Sequence, residues 1–183
     1  MAVWLLNGVD LVSAQLLTPN NAGPGWSVVA TGDVNKDGKR DIILQHTDGT
    51  LGVWMLNGTS LIDAQLFTPN NPGTGWRVVG SGDFTQVGNT DLVLQNTDGT
   101  LGIWYMNGLN LVLGALFNPD NSGDSDWQVA GTVDLNKDGE TDLLFQHADG
   151  SVATWLMDGI NLSVAELLNP SNPGAGWKLV GPK

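Results

Sequence analysis

Cysteine is absent from the 183 residues, so neither disulfides nor thiol chemistry contributes, and the redox compartment stays open. Basic residues are scarce: 7 Lys and Arg stand against 19 Asp and Glu, for a net charge of −12 and a pI near 4.1. A field of that sign repels nucleic acid and anionic membrane surfaces, and neither is expected as a partner. No apolar run approaches the length of a membrane span, so no membrane insertion is expected. The opening Met1-Ala-Val-Trp-Leu-Leu has no basic n-region and meets Asn7 after a few apolar residues, which is not the pattern of a signal peptide. Histidine occurs only as His46 and His147, at one repeat-equivalent position that Asn96 fills in between. With no Ser-His-Asp set and no phosphate-cradling glycine loop standing apart from the repeat, the chain is not expected to be an enzyme. What remains, 41% apolar and 14% charged residues, is ordinary for a folded globular domain.

The tryptophans reveal the organisation. Trp4, Trp54, Trp104 and Trp155 form one ladder, Trp26, Trp76, Trp127 and Trp177 another, and both step by 50 or 51 residues. The single extra residue enters at Asn121-Ser-Gly-Asp-Ser-Asp-Trp127, where other copies have the shorter Asn21-Ala-Gly-Pro-Gly-Trp26 and Asn71-Pro-Gly-Thr-Gly-Trp76. Each period reads as four strands: one opening at Trp26, a second at Asp41-Ile-Ile-Leu-Gln-His46, a third at Leu51-Gly-Val-Trp-Met-Leu56, and a fourth through Leu61–Phe67. Asp48-Gly49, Asp98-Gly99 and Asp149-Gly150 between strands two and three are strong hairpin signals. Gln45, Gln95 and Gln146 are expected to bond to neighbouring backbone.

A period near 50 residues with short strands predicts an all-β fold, a β-propeller of four-stranded blades. The expected divisions are a partial blade at 2–18, complete blades at 26–68, 76–118 and 127–168, and a lone first strand at 177–183. Unfinished blades expose apolar end faces, so a homo-oligomer is expected, or a piece of a longer chain.

Between the first two strands of the first period lies Asp33-Val-Asn-Lys-Asp-Gly-Lys-Arg-Asp41. Counting Asp33 as position 1, side-chain oxygens fall at positions 1, 3, 5 and 9 on Asp33, Asn35, Asp37 and Asp41, with Gly38 at 6 and the Lys39 carbonyl at 7. That is the opening of a calcium loop. Crowded carboxylates repel unless a cation sits among them. The pattern returns with Asp134, Asn136, Asp138, the Glu140 carbonyl and Asp142. The middle copy keeps Asp83, Gly88, Asn89 and Asp91 but has Thr85 at position 3 and Val87 at position 5, so it is expected to be weak or empty. Position 12, Leu44 or Phe145, is not the bidentate Glu of an EF-hand, and an acidic turn that merely closes a hairpin is the plainer alternative. On this reading Asp37→Ala removes calcium-linked stability and Asp91→Ala removes less.

The recurring W-x-V-V-x-x-G-D-x-N-x-D-G-x-x-D-[IL]-x-[LF]-Q, followed by D-G-T-L-G-[VI]-W-x-[LM]-N-G, resembles the FG-GAP (VCBS-type) repeats of bacterial surface proteins and integrin-like propellers. The resemblance spans nearly the whole chain. It implies calcium in the loop between the two inner strands of a blade, and adhesion or recognition, lectin-like in some members, more than catalysis. Glycans or a surface protein are the implied partners, and an extracellular or cell-surface setting fits loops that fill at millimolar calcium. The alternative is a structural segment that spaces or multimerises other domains. Trp54, Trp104, Trp155 and Trp4 lie between apolar neighbours and are expected in the core. Trp26, Trp76, Trp127 and Trp177 follow Pro/Asn/Gly loops and are candidates for stacking on a sugar, with packing favoured. Any ligand is expected at these repeated loops rather than in a unique cleft.

Overall fold

The computed structural model describes residues 1–181. They fold into 14 β-strands and, among the described residues, no helix. The first two, β1 (Ala2–Asn7) and β2 (Asp10–Leu16), form a hairpin. An antiparallel meander follows: β3 (Trp26–Gly32), β4 (Asp41–His46), β5 (Leu51–Asn57) and β6 (Ser60–Leu66). It is repeated by β7 (Trp76–Gly82), β8 (Asp91–Asn96), β9 (Thr100–Asn107) and β10 (Asn110–Asn121). It recurs as β11 (Trp127–Val133), β12 (Asp142–His147), β13 (Val152–Asp158) and β14 (Asn161–Leu167). The Asp-Gly turns are the reason strands two and three pair so tightly. Gly49, Gly99 and Gly150 all sit at φ of 92° or 93°, a region a Cβ would strain.

Successive units touch at two places. The first strands stand side by side, β3 against β7 and β7 against β11. At the far edge the end of each fourth strand meets the start of the next one, in parallel bridges Thr18↔Ser60 and Thr68↔Asn110 and in the pair Asn118↔Asn161. Through that last pair the second and third meanders merge into an 8-stranded sheet, β11-β12-β13-β14-β10-β9-β8-β7. Because its end strands β7 and β11 also touch, this sheet nearly closes on itself.

Strands two and three of each unit are buried on both faces, so they read as runs such as Ile42-Ile43-Leu44 instead of alternating. Their side chains fill three clusters, centred on Leu44 and Trp54, on Ile43 and Leu92, and on Val93 and Phe145. Each cluster draws on two adjacent units or on the hairpin and the first meander. The glutamines link these layers. Gln45 donates to the Trp76 carbonyl (3.3 Å) and accepts from the Val78 amide (3.0 Å). Gln95 does the same to Trp127 and Val129 (2.9 and 3.1 Å), and Gln146 to Trp177 and Leu179 (3.2 and 2.8 Å).

Two expectations are corrected. Trp4 is not core: it is 66% exposed on the hairpin, whereas Trp54 and Trp155 are buried and Trp104 half-buried. The segment expected as a lone strand at 177–183 is no strand over 177–181, and 182–183 lie outside the described residues. It still lies against β11, where the Gly181 amide donates to the Ala130 carbonyl at 3.1 Å. One such bond does not make a ladder.

Candidate functional site

Each of the three acidic loops joins the first strand of a meander to the second and takes one backbone course. Position 4 is left-handed (Lys36, Gln86 and Lys137, φ 60°, 56° and 64°), and so is the glycine at position 6 (φ 82°, 76° and 95°). The aspartate at position 1 fixes that course. Asp33 accepts from the amides of Asp37 (3.0 Å) and Gly38 (2.8 Å), and Asp134 from those of Asp138 (3.1 Å) and Gly139 (3.0 Å). Asp83 does so from Val87 (3.2 Å) and Gly88 (2.6 Å). Asn35 and Asn136 also receive the position-5 amide, at 3.0 Å in both loops. Asp37 and Asp138 accept from Lys39 and Glu140. That amide is the main cause holding Asp138 below the usual carboxylate range. Lys39 pairs with Asp37 at 3.7 Å, and Glu140 reaches the Gly159 amide and the Gln86 side chain.

The position-9 aspartates behave differently. Asp41, Asp91 and Asp142 are fully buried, and each spans two amides with its two oxygens. Asp41 takes Val34 and Leu56, Asp91 takes Phe84 and Met106, and Asp142 takes Leu135 and Met157, all at 2.8–3.1 Å. Each therefore ties its loop to the third strand. Burial pushes the Asp91 carboxyl up to about 6 against the two amide bonds, and the charge of Asp83 adds to the rise. In the middle loop Thr85 donates to Asp83, and the Asn89 Oδ1 is buried without a partner among the described residues.

Of the loop-following tryptophans, three are packed. Trp26 and Trp76 lie over the third strands of their own units, where a Cβ on Gly52 or Gly102 would come within 3.4 or 3.2 Å of the ring. Trp26 also contacts the His46 ring at 5.2 Å, and Trp127 the His147 ring at 4.9 Å. Trp177 is 69% exposed. A cavity of 1120 Å³ opens beside the first strands. The residues after each tryptophan, Ser27, Arg77, Gln128 and Lys178, all line it. Burial lowers the Arg77 pKa, and no acid lies within ion-pair distance of it among the described residues.

The residues sequence reasoning missed are Asp124, Asp126 and His147. One ligand atom from each lies within 4.8 Å of the others, and this exposed group can hold a metal ion. The His147 Nδ1 is 2.9 Å from Asp149, and its Nε2 is 3.7 Å from Asp124. His147 is raised above its ordinary pKa, mainly by the hydrogen bond to Asp149, with the charges of Asp149, Asp124 and Asp126 adding to it against burial. The signal was available in the one-residue excess before Trp127, the only such departure from the loop length. No family model matches this chain, and no match was found among curated proteins.

Proposed function

We propose that the chain is part of a calcium-stabilised β-propeller that recognises glycans or a protein surface and does not catalyse. The meanders would be blades, with their first strands lining the axis and their fourth strands on the rim. The side-by-side first strands and the repeated edge bridges support that arrangement. The observation that carries the calcium reading is the common course of the loops. Amides pin the oxygens at positions 1, 3 and 5 around one turn while those oxygens keep lone pairs to offer a cation. Ions in the Asp33 and Asp134 loops, with Asp83 weak or empty, would suit a millimolar-calcium setting at the cell surface or outside it.

We assign the ligand to this cavity in place of the repeated loops expected from the sequence: it offers Arg77, Lys178, the carboxylates of Asp126 and Asp149, carboxamides and tryptophan edges, a mixture suited to a neutral polyol. The test is metal analysis together with a glycan array run in calcium and in EDTA. About two calcium ions per chain and glycan signals lost in EDTA support the reading. Equal filling of all three loops, or a melting temperature indifferent to EDTA, refutes the calcium part. Turnover of glycans or esters that a single histidine substitution abolishes refutes the rest.

A second reading is a structural, multimerising segment, and the exposed apolar side chains of the β1–β2 hairpin favour it: Trp4, Leu5, Leu6, Leu11, Val12 and Leu16. A second copy seated there would bury them.

A further inference from the structure

We infer that Asp124, Asp126 and His147 form a site for a first-row transition dication such as zinc, separate in place and chemistry from the calcium loops. The imidazole is what distinguishes it. Calcium prefers 6 to 8 oxygens, whereas imidazole nitrogen beside carboxylates suits zinc and its neighbours. The His147 ring is held in place through Nδ1, which lies 2.9 Å from the Asp149 carboxylate and accepts the Asp149 amide at 3.2 Å, while Nε2 stands 3.7 Å from Asp124. A carboxylate behind a metal-binding imidazole orients the ring and raises its basicity. The Nε2 to Asp124 separation of 3.7 Å is too long for a hydrogen bond. It is close to the ~3.4 Å expected between two ligands each ~2.1 Å from a tetrahedral metal.

The repeat supplies an internal control. His46 has the same ring–Asp48 contact at 2.9 Å and meets Trp26 in a tilted ring contact as His147 meets Trp127. Over its Nε2, however, lies Gly25 at φ 80°, so close that a Cβ there would fall 2.4 Å from the nitrogen. Gly75 and Gly176 occupy the corresponding place in two other copies. Only the third copy, with one residue more, leaves the left-handed region at that position and carries Asp126. The connector that is one residue longer therefore also carries two carboxylates, at a copy that has a histidine to share with them. Asp126 and His147 also line the cavity, so coordination positions not filled by protein are open to water or to an oxygen of a bound molecule.

The experiment is a zinc titration of the calcium-saturated full chain by calorimetry, repeated with cobalt, whose visible absorption reports ligand geometry. One zinc per chain is expected in excess calcium. His147→Asn and the double change Asp124→Asn with Asp126→Asn should each weaken it at least tenfold, Asp149→Asn by about tenfold. His46→Asn should leave it unchanged. Melting temperatures in EDTA equal to the parent's establish that the variants are folded. The inference is overturned by zinc affinity weaker than about 1 mM, by affinity that survives the double change, or by displacement of zinc by millimolar calcium. None of these outcomes bears on whether the calcium loops fill.

Discussion

Asp91→Ala isolates what the ninth-position aspartate does when no metal is involved. Asp91 is fully buried and is the acceptor for the amides of Phe84 (3.1 Å) and Met106 (2.8 Å). Alanine leaves both donors buried and unpaired, at about 1–3 kcal/mol each, or about 2–6 kcal/mol together. Part is returned at neutral pH, because a carboxyl pushed up to about 6 is costly to keep ionised. A rise of about two units from 3.8 is worth at most about 3 kcal/mol. The net loss at pH 7 is therefore at most about 3 kcal/mol, which lowers the melting temperature by up to about 12 °C for a chain of this size. The folded state holds the proton more tightly than the unfolded chain. Its contribution is thus complete below about pH 4 and is lost as pH rises through about 6. The alanine variant lacks that slope, so the difference between parent and variant should be larger at pH 5 than at pH 8. Denaturant melts in EDTA at both pH values measure it. A difference between parent and variant that stays constant or grows from pH 5 to pH 8 would refute the reasoning. Asp37 is exposed, and its loss should cost little in EDTA and much more in calcium. For the metal-free chain this reverses the order expected from the ligand pattern alone.

Gln95→Leu should cost about 2–4 kcal/mol, because it strips the Val129 amide and the Trp127 carbonyl of a buried partner. Gln146→Leu, facing the more exposed 177–181 segment, should cost less than half of that in the same denaturant melts. On the multimer reading, light scattering at micromolar concentration should give a mass near a multiple of 19.3 kDa, reduced by deleting residues 177–183 or by Trp4→Ser. A compact monomer indifferent to both changes would discard that reading.

The strands were legible because turn chemistry and burial agree in this chain. Asp48-Gly49 and its copies demand a tight reversal, and the doubly buried runs beside them have no alternative to a sheet interior. The acidic loops were legible as loops but not in their division of labour. The alternating-oxygen pattern gives Asp33 and Asp41 the same standing. In the fold Asp33 organises the turn, while Asp41 is drawn inside to the Leu56 amide, a partner 15 residues away that spacing does not reveal. The Asp124, Asp126 and His147 group was hidden by the repeat itself. Aligning His147 with His46 and Asn96 makes it one of a series, and the insertion that sets it apart lies in another strand's connector.

The tryptophan ladders show why equal residues at equal register do not meet equal fates. Trp54 is buried in a cluster that includes Met1 and Val3 of the preceding hairpin, and Trp155 in one that includes residues of the second meander. The cover for a third-strand tryptophan is thus drawn in part from the unit before it, and β1 has no such unit among the described residues, so Trp4 stays exposed. In the other ladder the cover is the unit's own third strand: Trp26 has Gly52 and Trp76 has Gly102. Trp177 has no third strand behind it among the described residues and is exposed for that reason. The exposed rings at Trp4 and Trp177 thus lack two different covers among the described residues, a preceding unit for the first and a third strand for the second.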